Sequence, residues 1–353
     1  LQLFRKQKMW RSHELKDRYD VVIIGAGVHG LATAYYLGKQ GVTNVAVIDR
    51  GYLGGGNSGR NTAILRANYR TQEAIPFYAE SLRLYEGLSQ EVDFNVLFSQ
   101  QGHLTLAHTD TGVDSLRLRA EANALLDVDS RLIFPEEIKS LVPAMDVSKD
   151  MHAPIQAALY HPPGGIIRHD AVIWGYARGV DRMGIEIHPH TEVQGIETEN
   201  CQVTAVQTDR GRIKTGTVVN ATSGWCSTIA RMVDVDLPIV SHPLQACVTE
   251  PLKPFLDKVI VSATLHVYVN QTDRGEVVIG AEIDPYASYN VASTLPTLEM
   301  MASHALELFP MLEEARVLRQ WAGICDMTPD FSPIIGTVPE VKGFIVDVGW
   351  GTY

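Results

Sequence analysis

Apolar and polar positions along the chain follow three patterns. The first is an unbroken apolar run, Val21-Val22-Ile23-Ile24, with a counterpart in Val45-Ala46-Val47-Ile48. Runs of β-branched residues without a polar break read as strands buried on both faces, as in parallel sheets covered by helices. Between them, Leu31 to Lys39 carry helical spacing, and Gly41 supplies a stop signal. The second pattern, helical periodicity, fills residues 71–150 in EAIPFYAESLRLYEGL and GVDSLRLRAEANALL, interrupted by a strand, GHLTLAH. The third is alternation. HPLQACVTE, TLHVYVNQ and EVVIGAEID, between 238 and 290, predict an antiparallel sheet with Asp273-Arg274-Gly275 as a hairpin turn. The stretch from Gly184 to Thr222 reads as further strands, TLEMMASHALELF as a helix, and GFIVDVGW as a last parallel strand.

The turn after the first strand carries Gly25, Gly27 and Gly30 at G-x-G-x-x-G spacing. The first glycine permits the tight turn, the second lets the backbone approach a pyrophosphate, and the third allows close strand–helix packing. Asp49 ends the second strand, where a carboxylate binds ribose hydroxyls and repels a 2′-phosphate. A glycine triplet alone is weak evidence; in a strand–helix–strand–acid context it predicts a dinucleotide site. GYLGGGNSGRNTAILRANY, residues 51–69, follows directly, with polar Asn57, Ser58, Arg60 and Asn61. It is too long for a simple β–α turn and suits an extended cofactor, FAD rather than NAD.

Composition adds limits. The 353 residues, 45% hydrophobic and 20% charged, suffice for one large or two interleaved domains. The net charge of −11 argues against a sequence-independent nucleic-acid surface. Residues 1–19 are locally basic and are expected to form an arm that packs on a partner. No apolar run reaches the roughly 18 residues of a membrane span. Cys201, Cys226, Cys247 and Cys325 form no C-x-x-C pair, which points away from zinc and fits a reducing cytoplasm. His188 and His190 flank a proline and are expected at the surface, so no metal site is expected. Neither Leu1 nor Tyr353 resembles a natural end, so the C-terminal end is expected to be truncated.

The Gly25–Asp49 unit, GNSGRN, VVNATSGW (218–225) and TPDFSPIIG (328–336) resemble the FAD-dependent amine and amino-acid oxidase superfamily. Ala67-Asn68-Tyr69, RHDAV, SHPLQA and HVYV resemble more closely its sarcosine oxidase β subunits of the heterotetrameric type, over residues from about 20 to the end. The resemblance implies a mixed α/β fold. A Rossmann-type FAD-binding domain (20–70, 150–225 and 325–353) would interleave with an antiparallel-sheet substrate domain (71–149 and 226–324). It also implies that the backbone near Val193 touches adenine, that Gly224 lies by the pyrophosphate, and that a further helix and a lysine follow Tyr353.

Arg66 is the leading substrate residue: a guanidinium holds a carboxylate bidentately and keeps its charge, and the family's corresponding arginine does this. A structural ion pair is the alternative. Tyr268 and His266 alternate with valines and are expected on one strand face, which either lines the amine site, with Tyr268 the better candidate, or packs satisfied polar side chains; His242 is a weaker candidate. Asp330 in the TPDFSP turn is expected to stabilise that turn. His169, after Gly164-Gly165 and between Arg168 and Asp170, reads on its own as structural. The resemblance implies that it carries covalent FMN, with the Gly-Gly turn admitting the ring. The implied reaction is oxidative demethylation of sarcosine to glycine and formaldehyde, with hydride transfer to noncovalent FAD. Electrons would pass to FMN and then O2, giving H2O2, in an assembly with α, γ and δ subunits. Two rivals stay open: a dye-linked proline or hydroxyproline dehydrogenase, and a non-catalytic FAD electron-transfer subunit.

Overall fold

A computed structural model describes residues 9–351; residues 1–8 of the basic N-terminal stretch, and Thr352 and Tyr353, lie outside the described residues. β1 (Val21–Ile24), α1 (Val28–Lys39) and β2 (Val45–Ile48) open a six-stranded sheet. Its order is Ile334–Thr337, Phe344–Val348, Val218–Asn220, β1, β2, Glu186–His188. All neighbours are parallel except Ile334–Thr337, which runs antiparallel to Phe344–Val348. Both faces are covered, which is why β1 and β2 lack polar residues. On one face, Ile23, Val45 and Val47 pack with Leu31 and Ala34 of α1 and with Val172, Ile173 and Val180 of the helix His169–Arg182. On the other, Val22, Ile24, Ala46 and Ile48 pack against a three-stranded meander through Ile196, Val203, Val206 and Ile213.

The second layer is an eight-stranded sheet, ordered Val317–Met327, Val240–Pro251, Glu276–Ile283, Val267–Gln271, Val259–Ser262, His103–Ala107, Ala157–His161, Arg131–Ile133. It is mixed rather than purely antiparallel: Val259–Ser262 runs parallel to His103–Ala107, joining strands from two separate stretches of chain. Ala157–His161 lies within the 150–225 range yet pairs with His103–Ala107; the chain turns back toward the nucleotide-binding layer at Gly164-Gly165. One face carries Leu104, Leu106, Ile260, Val267, Val269 and Val277 against the helix Leu295–Leu308. By the two-residue period of a strand, His103, Thr105, His161 and Tyr268 share the opposite face.

The described arm residues pack on this chain itself. Arg11 pairs with Asp181 at 3.1 Å and Lys16 with Glu186 at 2.6 Å, and the Tyr19 hydroxyl donates to Glu186 Oε2 at 2.5 Å. This cover also buries His188, 3.0 Å from the Tyr19 hydroxyl, so of the two histidines expected at the surface only His190 is exposed. No helix among the described residues is long and apolar enough to cross a membrane.

Candidate active site

Gly25 adopts φ +110°, and its N–H donates to the Ile48 carbonyl at 2.8 Å, turning the chain tightly from β1 into α1. A Cβ at Gly30 would run into the Gly25 carbonyl, so only glycine lets α1 start this close to the strand. A Cβ at Gly27 would come within 2.8 Å of Ser58 Oγ. Gly27, the N-cap of α1, has no side chain to cap the helix, while Ser58 Oγ accepts from the Val28 N–H at 2.9 Å. The remaining donors of a helix N-terminus suit a phosphate. Asp49 accepts from the Ala26 and Gly51 N–H groups, each at 2.8 Å. The half-buried carboxylate thereby braces the glycine turn, with lone pairs left for hydroxyls. Val193 starts the strand beyond Thr191, whose N–H donates to the Asp49 carbonyl at 2.7 Å.

The Gly-rich loop that follows joins the two layers. Asn57 Oδ1 accepts from the Ile324 N–H at 2.7 Å, and its Nδ2 donates to the Ile324 carbonyl and, at 2.8 Å, to Ser223 Oγ. Arg60 donates to the Ala322 carbonyl at 3.0 Å, and the Trp321 indole donates to the Arg60 carbonyl at 2.6 Å. Asn61 folds back on the Ser58 carbonyl at 2.8 Å. Asn57 and Arg60 thus fasten the loop to the strand Val317–Met327. Gly224 lies at the same junction, where a Cβ would meet Ile324 at 2.6 Å. Beneath it Asp326, 1% exposed, was not singled out in the sequence. Burial pushes its carboxyl up, while N–H donation from Gly349 at 2.6 Å and a hydroxyl bond from Ser223 at 3.2 Å favour the charged form.

Arg66 lies at the end of this loop, half-buried, with its guanidinium 4.2 Å over the Tyr69 ring and 3.4 Å from Asn68 Oδ1. Among the described residues it pairs with no carboxylate, which separates it from a structural ion pair. His103 and His161 lie nearby, paired across two strands and each 1% exposed. Burial, together with Arg66 and Arg119, holds His103 well below its ordinary range and pushes His161 down to about 4. Both ring nitrogens of His103 are buried without a partner among the described residues. Neither histidine was expected from the sequence, because the strands that pair them lie far apart along the chain.

Tyr268 is in its expected strand. Burial pushes its pKa up, so it is a neutral phenol. His266 does not share that strand. It occupies the turn before Val267 with φ +49° and is exposed. The reason is register: Val267 pairs with Ser262, so residues 263–266 must close the hairpin. His242 is bound to the Asp284 carbonyl at 2.9 Å, and Asp330 accepts the Ser332 N–H at 3.1 Å within its turn.

His169 opens the helix His169–Arg182, and its half-buried ring makes no hydrogen bond among the described residues. Burial lowers its pKa, opposed by Asp170, which itself pairs with Arg168 at 2.9 Å. The Gly164-Gly165 turn does not open a place for a ring. A Cβ at Gly165 would strike the Ser99 carbonyl, and one at Gly164 would come within 2.8 Å of the His103 side chain. These glycines instead serve the close approach of residues 99–103.

Comparison with known proteins agrees with this geometry. Residues 20–353 match the family model described as FAD dependent oxidoreductase. The chain is 44% identical to sarcosine oxidase subunit beta of Rhodobacter capsulatus, over 98% of this chain and 83% of that protein. Identity to the Rhizobium meliloti subunit of the same name is 45%, over 97% and 82%. The crystal structure of L-proline dehydrogenase from P. horikoshii superposes with a TM-score of 0.90 at 29% identity, covering 96% of this chain and 89% of that one.

Proposed function

The chain belongs to the family of FAD dependent oxidoreductases, and we propose that it works there as the β subunit of a sarcosine oxidase. The cradle suits FAD: a glycine turn with no Cβ in the pyrophosphate path, a helix start whose N-cap residue carries no side chain, and an acid at the end of β2. When bound, FAD supplies a two-electron acceptor. The observation that carries the substrate reading is Arg66, a half-buried guanidinium without a carboxylate partner among the described residues, at the end of the loop that closes the cradle.

Arg66 holds the carboxylate of a small secondary amino acid and so orients its N-methyl group. The Tyr268 phenol, on the sheet face shared with His103, is neutral and can donate a hydrogen bond. No side chain has to remove a proton from carbon. The uncharged amine loses a hydride equivalent from the N-methyl carbon, and water hydrolyses the resulting imine to glycine and formaldehyde.

FMN joined to His169, with α, γ and δ subunits closing around it and O2 as final acceptor, belongs to the same reading. A half-buried, neutral imidazole without a hydrogen-bond partner among the described residues is chemically suited to attack the 8α carbon of a flavin. The assembled protein should release FAD on acid precipitation and convert sarcosine to equal amounts of formaldehyde and H2O2. Peptide mass spectrometry should find FMN on the His169 peptide; an unmodified peptide with full oxidase activity would return His169 to a structural role. Turnover of proline or hydroxyproline with a dye, and none of sarcosine, would select the dehydrogenase instead. Absence of amine turnover in an FAD-loaded protein would leave an electron-transfer subunit.

A further inference from the structure

The segment that carries Arg66 is irregular, yet three of its backbone polar groups are held by side chains rather than by a sheet. The Ala67 N–H donates to His161 Nε2 at 3.1 Å. The Asn68 carbonyl accepts from Arg119 Nε. The Tyr69 carbonyl accepts from Asn123 Nδ2 at 2.9 Å. Arg119 and Asn123 are four residues apart on the helix Asp110–Leu125, so they project from one face, and both are buried. Because the amide of Ala67 can only donate, His161 Nε2 must accept and Nδ1 must carry the proton, which it gives to the Asp129 carbonyl at 2.6 Å.

Asn68 is the hub. Fully buried, it presents Oδ1 to both guanidinium groups, at 3.4 Å from Arg66 and 3.1 Å from Arg119 Nη2, and this double donation fixes the orientation of its amide. Its Nδ2 has no partner among the described residues. The opposite constraint on Arg66 comes from Tyr69, stacked on Tyr78 with ring centres 3.7 Å apart. A guanidinium held at its edge and on its face loses little freedom when it meets a ligand.

We propose that Arg119 and Asn68 are positioning residues for the substrate carboxylate: Arg119, through the shared Oδ1 of Asn68, sets the place and tilt of the Arg66 guanidinium. The proposal rests on the reading of Arg66 as the carboxylate anchor. Two guanidinium groups converging on one uncharged amide also leave a local positive potential, which favours an anionic ligand.

The test titrates the FAD-loaded, assembled enzyme with propionate, a carboxylate without an amine, following the flavin absorbance. Arg119→Lys removes the fork that grips both oxygens of Asn68 and should raise the propionate Kd about tenfold, the size of one charge-assisted bond. Asn68→Asp keeps the shape but gives Arg66 an internal carboxylate partner, and should weaken propionate more. In both, KM for sarcosine should rise while kcat changes much less. Arg66→Lys is measured alongside. If it leaves the propionate Kd unchanged, the anchor reading fails and takes this proposal with it. If it weakens binding and the clamp variants do not, only the clamp is overturned. Where one clamp variant fails to retain FAD, the other decides; loss of FAD from both would assign the cluster to fold support and overturn the proposal.

Discussion

Arg66 and Lys would carry the same charge at position 66, but only arginine presents a planar fork to a carboxylate. Arg66→Lys should therefore lower kcat/KM for sarcosine by about 1.5–3 kcal/mol of binding, roughly 10- to 150-fold, read by steady-state kinetics. His161 makes a second prediction, about pH. Burial and the two arginines push it down to about 4, from the ordinary 6.5. The unfolded chain thus takes up a proton that the folded one refuses. The stability this shift contributes is fully present above about pH 6.5 and is lost as pH falls toward 4. At pH 5 the loss is on the order of 2 kcal/mol. Urea unfolding at pH 7.5 and pH 5 should show a smaller difference in His161→Gln than in the unaltered protein. An equal difference would mean that this histidine does not titrate with folding.

Elements are joined at this site by glycines where backbones or rings touch. Gly27→Val places branches where Ser58 Oγ already stands 2.8 Å from a Cβ, on the path a pyrophosphate would take. The purified variant should contain little or no FAD while keeping its circular dichroism. Gly280 is a different case. It pairs with Tyr268, and a Cβ there would land in the Tyr268 ring. Gly280→Ala should cost about 1–3 kcal/mol by overpacking, lower the melting temperature, and displace the Tyr268 ring. The helix Asp110–Leu125 has a related feature: its buried face includes Arg119 and Asn123 as well as Leu116. Periodicity located this helix but could not assign polar residues to its inner face, because that face meets a loop whose carbonyls need donors.

At the scale of the molecule, the two sheets meet along the strand Val317–Met327, and the Gly-rich loop is fastened to it by Asn57 and Arg60. Asn57→Ala leaves the N–H and carbonyl of Ile324 and the Ser223 hydroxyl without this partner. The cost should be about 1–3 kcal/mol. Since the loop also carries Ser58 to the start of α1, FAD should be held more weakly. Thermal unfolding with and without added FAD measures both: the variant should melt lower and gain less from the same excess of FAD. Unchanged melting in both conditions would remove Asn57 from the junction.

The nucleotide cradle was legible because its chemistry is local. A buried strand, three glycines, a helix and a terminal acid follow one another along the chain, and each is required by backbone geometry that neighbours in sequence impose. The same holds for most strands and helices, whose periodicity reports which faces are buried. What the sequence left open was which side chains meet. The Asn68–Arg119 bond spans 51 positions and the His161–Ala67 bond 94. Neither leaves a mark in local periodicity: His103 lies inside the strand GHLTLAH and His161 in a stretch that no pattern marked, and only the register places them side by side. His266 and the Gly164-Gly165 turn misled for the same reason: hairpin register and the backbone passing at Ser99 decide their roles. Local sequence determines the conformations the backbone can take, whereas burial, partner and charge at a site depend on non-local packing, which only the tertiary fold specifies.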